Sequence, residues 1–131
     1  MIALDTNVLV RFLVEDDAAQ NKRARAILAR AIEEESGCFV PDVVVCEVVW
    51  VLSSVYRIPR GEIIRHLGSL LRARHLVYRS ADRLARALEA FRDGHGDFAD
   101  YVIREESMAA GCDAVATFDK ALHGERGFQA A

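Results

Sequence analysis

The chain has 131 residues, 52% of them hydrophobic, and a formal net charge of −3. This length is enough for one domain with a sizeable core, and the composition excludes a disordered chain. The small net charge argues against binding nucleic acid through overall charge. The apolar run "MIALDTNVLVRFLV" is interrupted by Asp5 and Arg11, so it reads as neither a signal peptide nor a membrane span.

In chain order, "IALD" is expected to form a short buried strand and "TNVLVRFLVED" to turn helical. Asp16 or Asp17 starts a second helix through "AAQNKRARAILARAIEEE", where Ala, Ile and Leu recur at helical spacing, and Gly37 ends it. "CFV" is a second strand, closed by Pro41. The segment "DVVVCEVVWVLSSVY" carries a conflict. Its valines favour a strand, whereas its length and Asp42 as a capping residue favour a helix, which is the expectation. Pro59 precedes a helix over roughly 60–73, and "HLVY" is a candidate strand. Ser80 caps the helix "SADRLARALEAFRD". "GHG" at 94–96 is a turn, and "DFADYVIREESMAAG" is a helix stopped by Gly111. "DAVATF" is a buried strand, "DKALHG" a short helix or turn, and "GFQAA" a last short strand. Alternating strands and helices predict an α/β domain with a mainly parallel sheet. No repeat, low-complexity segment or linker divides it, so residues 1–131 read as one domain.

Three cysteines, Cys38, Cys46 and Cys112, show no CxxC spacing and suit reduced core thiols of a cytosolic protein. The charges are unevenly spread. Residues 57–92 hold nine Arg against Glu62, Asp82 and Glu89, while residues 93–131 hold eight acids against Arg104, Lys120 and Arg126. The basic stretch reads either as solvated helix faces or as phosphate contacts beside an acidic site. His66, His75, His95 and His123 share no motif and read as surface or loop residues.

Glu47 poses a sharper question. It stands in "PDVVVCEVVWVL" with only apolar neighbours at helical or strand spacing, and a buried carboxylate without a partner is costly. It must reach solvent, pair with a distant arginine, or help to hold a metal ion. Other acids stand where α/β proteins place their sites, at strand ends. Asp5 closes the first strand, Asp119 follows the strand "DAVATF", and Asp97 and Asp100 lie three apart in the first turn of a helix. Singly, each also suits a cap or a loop. Converging acids would repel and raise one another's pKa values, and Mg²⁺ or Mn²⁺ relieves such repulsion. A site of this kind activates water for displacement at phosphorus. Thr6, Asn7 and Thr117 would orient ligands there, or else serve as ordinary cap and strand-end groups.

The ordered set "MIALDTNVLVRFLVEDD", "VPDVVVCEVVWVLSSVY", "DFADYVI" and "TFDKAL" resembles the PIN-domain ribonucleases, specifically the VapC-type toxins of toxin–antitoxin pairs. The resemblance implies a parallel sheet of about five strands flanked by helices. It places the four catalytic, metal-holding acids on Asp5, Glu47, Asp100 and Asp119, with Asp97 assisting. It also implies Mg²⁺- or Mn²⁺-dependent cleavage of RNA, a homodimer and a small inhibitory antitoxin. One departure follows "DYVI": Arg104, Glu105 and Glu106 stand where small apolar residues are usual, and Glu105 falls near the side of Phe98 and Val102.

The expected function is therefore a cytoplasmic metal-dependent endoribonuclease that hydrolyses RNA phosphodiester bonds. The alternative is a noncatalytic RNA-binding or regulatory module of the same fold, which would not need five acids. A phospho-acceptor domain would pair two adjacent acids after its first strand, where "LDTN" has one. A metal-independent ribonuclease would need placed histidines. The helices around 42–73 are the expected dimer contact, with Leu67, Leu70 and Leu71 on their exposed side.

Overall fold

The structure is a computed structural model that describes all 131 residues. It comprises two compact units, Met1–Ala81 and Asp82–Ala131.

The first unit begins with strand β1 (Ile2–Ala3), helix α1 (Thr6–Leu13) and helix α2 (Ala18–Glu33). Strand β2 (Cys38–Phe39), helices α3 (Asp42–Ser54) and α4 (Arg60–Arg72), and strand β3 (Leu76–Val77) follow. The three strands form one parallel ladder in the order β1-β2-β3. The expected burial of the first strand falls instead on Leu4, the residue after it. Ile2 and Ala3 are exposed.

Asp17 caps α2, its side chain accepting the Gln20 amide at 3.0 Å. The helix ends at Glu33, ahead of Gly37. Glu35 and then Gly37 take positive φ, so the reversal is shared between them. The valine-rich segment is helical. Val44, Val45, Val48, Val49 and Leu52 are buried, a stripe of helical period whose burial outweighs the modest helix propensity of valine. Its cap is Pro41 rather than Asp42. The fixed φ of proline suits the helix entrance, and Asp42 moves into the first turn, where a carboxylate favours the helix dipole. Leu67, expected on an exposed side, is 1% exposed. It lies on the face that α4 buries with Ile63, one turn away at i+4. Leu70 and Leu71 are half-buried.

The second unit contains all but the first residue of α5 (Ala81–Asp93), then α6 (Phe98–Ala109), β4 (Val115–Thr117), a short 3₁₀ turn (Lys120–Leu122) and β5 (Phe128–Ala130). β4 and β5 form a parallel pair. The expectation of about five strands in one central sheet is thus met in part. Five short strands form and every pairing is parallel, but the ladders divide as three and two. Leu84, Ala87, Leu88, Phe91, Phe98, Tyr101, Val102 and Leu122 build the core of this unit. Gly111, in the left-handed region, follows the end of α6.

The departure at Arg104–Glu106 has a specific structural outcome. Glu105 is nearly covered and accepts from Arg86 at 2.8 Å and from Arg104 at 3.2 Å. The Arg104 guanidinium also lies over the rings of Tyr101 and Phe128, 5.3 and 5.9 Å from their centroids. Two cations and an aromatic platform thus offset the desolvation of one carboxylate.

Candidate active site

In the first unit, Glu47 faces outward. Val43, Glu47 and Trp50 share the exposed side of α3, and Trp50 is 63% exposed. Glu47 therefore keeps its solvent and avoids the burial penalty that its neighbours suggested. It also has one fixed partner: the Thr6 hydroxyl donates to Glu47 Oε2 at 2.6 Å. Thr6, 6% exposed, is the one buried polar residue of the chain, so this anchor is itself held in place. Asp5 is the N-cap of α1. Its carboxylate and the Asn7 amide are exposed and make no hydrogen bond within the protein.

In the second unit the acids gather at the start of α6. Asp97 is the N-cap, and its amide donates to Asp100 Oδ2 at 2.8 Å. Asp100 thus turns back on the helix entrance, where orphan backbone donors and the helix dipole favour a carboxylate. Burial nevertheless pushes its carboxyl above the ordinary range. The negative charges of Asp97, Asp119 and Glu125 push the same way, against the lowering effect of the Asp97 amide. Asp119 accepts the Ala121 amide at 2.9 Å, and its own amide donates to Thr117 Oγ1 at 3.0 Å. Thr117 therefore acts on Asp119 through the backbone.

Glu125 was not singled out from the sequence. It accepts from the buried Tyr101 hydroxyl at 2.9 and 3.0 Å, and that hydroxyl accepts the Gly96 amide at 3.0 Å. A Cβ at Gly94 would lie 1.8 Å from the Tyr101 hydroxyl oxygen, so the glycine turn at 94–96 is needed to seat this tyrosine. Nothing local marks Glu125, which lies in an irregular stretch 24 residues from its partner. Its only signal was the excess of acids after residue 93.

Of the predicted residues, the structure joins Thr6 to Glu47, Asp97 to Asp100, and Thr117 to Asp119, and sets the charge of Asp119 against Asp100. No three acids, histidines or cysteines stand grouped to enclose an ion. The donor chemistry still fits a hard divalent cation. The donors are all oxygen, and the neighbouring negative charges that add to the effect of burial on the Asp100 carboxyl are ones a cation offsets. Asp100 and Asp119, with Asp97, are the second-unit residues that would hold it. The cysteines form no disulfide, and Cys38 is buried while Cys112 is exposed. His95 and His123 are exposed.

The chain is an α/β fold with short parallel strands and with acids at strand ends and helix entrances. The PIN domain model matches residues 2–124, and the chain belongs to the PIN domain family. That family has a nuclease fold, commonly acting as a metal-dependent ribonuclease. Among curated proteins nothing matches. No helix of the chain is long and apolar enough to cross a membrane.

Proposed function

We propose that this chain is a cytoplasmic endoribonuclease dependent on Mg²⁺ or Mn²⁺, the toxin of a toxin–antitoxin pair of VapC type. Membership of the PIN family supports the nuclease reading, and the observation that carries it to these residues is the gathering of Asp97 and Asp100 at the entrance of α6, with Asp119 and Glu125 near enough to act on Asp100. Such crowding weakens a metal-free fold and is expected where a cation is to be bound. The proposed metal-holding residues are Asp5, Glu47, Asp100 and Asp119, with Asp97 assisting. When bound, the metal supplies charge neutralisation at phosphorus and a more acidic water. Thr6 holds Glu47 in one orientation, Thr117 fixes the turn that carries Asp119, and Asn7 offers an amide to a phosphate or base. Further proposals from the resemblance are a homodimer, formed through the helices around 42–73, and an inhibitory antitoxin.

The test is cleavage of a mixed RNA pool by purified protein with Mg²⁺, with Mn²⁺ and with excess EDTA. Activity should vanish in EDTA and fall by orders of magnitude in Asp5→Asn, Glu47→Gln, Asp100→Asn and Asp119→Asn, and by less in Asp97→Asn. Full cleavage in EDTA or by Asp100→Asn overturns the metal-and-carboxylate reading, and RNA binding with no cleavage in Mg²⁺ or Mn²⁺ favours the noncatalytic RNA-binding module.

A further inference from the structure

In the first unit, α1 and α2 flank a cleft of about 240 Å³ whose polar wall is Asn7, Arg11, Gln20 and Arg23 and whose apolar side is Val8, Ala24 and Ile27. That is below the ~300–1,000 Å³ of pockets for drug-sized ligands, and it suits one flat ring system with its substituent. The lining contains two arginines and no acid. Arg11 is already engaged: it donates to Gln20 at 2.5 Å, to Asp16 at 2.9 Å and to the Tyr56 hydroxyl at 3.0 Å. Its backbone carbonyl accepts from Asn21 at 2.6 Å. This network fixes the wall of the cleft and leaves Arg11 as a source of positive field. Arg23 and Asn7 differ. Both are exposed, and neither side chain has a partner within the protein.

We propose that this cleft holds one nucleotide of a single-stranded RNA substrate, with its base against Val8, Ala24 and Ile27, its edge on the Asn7 amide and an adjoining phosphate on Arg23. The chemistry matches each part. Unstacked bases of single-stranded RNA present apolar faces and hydrogen-bonding edges. An amide carries both a donor and an acceptor for such an edge. A guanidinium binds a phosphate in bidentate fashion and stacks on a base. An inorganic anion alone would leave the apolar side unused, and a cation would meet two arginines. The location is also apt: Asn7 stands two residues beyond Asp5, in the first turn of the helix that Asp5 caps. The inference rests on the ribonuclease reading above and assigns it a substrate subsite.

The probe is short fluorescently labelled single-stranded RNA of several sequences, its binding followed by anisotropy in EDTA so that cleavage plays no part. Arg23→Glu should weaken binding about tenfold or more for every sequence and lower the salt slope by ~0.7–1. Arg23→Lys should recover part of the loss, and Asn7→Ala should change the ranking among sequences. In cleavage assays with Mg²⁺, Arg23→Glu should raise KM far more than it lowers kcat. Circular dichroism checks folding, and the exposed, unpartnered Arg23 leaves little to disturb. Wild-type binding that Arg23→Glu and Asn7→Ala leave unchanged overturns the subsite while the ribonuclease reading stands. Binding that depends on Arg23 without cleavage in Mg²⁺ supports the cleft and overturns the ribonuclease. A wild type that neither binds nor cleaves RNA overturns both.

Discussion

Tyr101→Phe deletes one oxygen from the interior of the second unit. The ring is fully buried, and its hydroxyl accepts the Gly96 amide at 3.0 Å while donating to Glu125 at 2.9 and 3.0 Å. A hydrogen bond to a charged group contributes ~1.5–3 kcal/mol, and a buried amide that loses its acceptor costs ~1–3 kcal/mol. Glu125 is only half-buried, so water re-pairs much of its carboxylate, and the expected net loss is about 2 kcal/mol. Unfolding entropy of ~2.1 cal/mol/K per residue over 131 residues makes 1 kcal/mol worth about 3.6 °C, so Tm should fall by about 7 °C. Thermal melts of wild type, Tyr101→Phe, Glu125→Gln and the double variant give the coupling between the two groups, expected at about 1 kcal/mol or more. A Tm loss under about 2 °C, or additive single losses, would refute this account of how Glu125 is held beside Asp100.

Asp100 sets a pH dependence. Its folded pKa is raised, chiefly by burial and then by Asp97, Asp119 and Glu125. The native state therefore holds its proton more tightly than the unfolded chain does. That stabilisation is complete below the ordinary carboxyl range near ~3.9 and is lost as pH rises through the raised value. In EDTA, Asp100→Asn should flatten this fall, and an unchanged pH–stability curve by chemical denaturation would contradict it. Mg²⁺ at a hundred times its Kd should add about 2.7 kcal/mol, read as a Tm rise that Asp100→Asn and Asp119→Asn diminish; equal rises in all three proteins would remove both residues from the metal set. Glu105→Ala should destabilise by about 1–2 kcal/mol because it takes the carboxylate from the largely covered Arg104, while the exposed Glu106→Ala stays within about 0.5 kcal/mol; equal effects in urea titrations would deny Glu105 its special place.

The order of strands and helices was legible because proline, glycine and capping residues punctuate apolar segments of clear period. Asp17 caps where expected, Gly111 follows α6 and α3 is helical despite its valines. What failed depended on partners remote in sequence. Leu67 is buried although α4 has apolar residues on more than one side, and which side faces the core is decided by neighbours. The cap of α3 passed to Pro41 because backbone geometry at the entrance outweighed side-chain preference. Among the acids, Asp97 and Asp100 were readable as a pair because three residues separate them on one helix. Glu125 was not, since Tyr101 reaches it across a turn that only the glycines at 94 and 96 allow.

Glu47 and Asp100 solve the same electrostatic problem in different ways. Glu47 avoids desolvation by lying on the outer face of an apolar helix, and a single hydroxyl from buried Thr6 restricts its orientation. Asp100 accepts partial burial among like charges and is held by the Asp97 amide alone. Thr6 to Val should therefore loosen the orientation of Glu47 with a small stability loss, whereas Asp100 to Asn should relieve strain in the metal-free protein. On the proposed reading, a bound cation would offset this crowding. The charge that looked misplaced in the sequence, Glu47, is the less strained of the two.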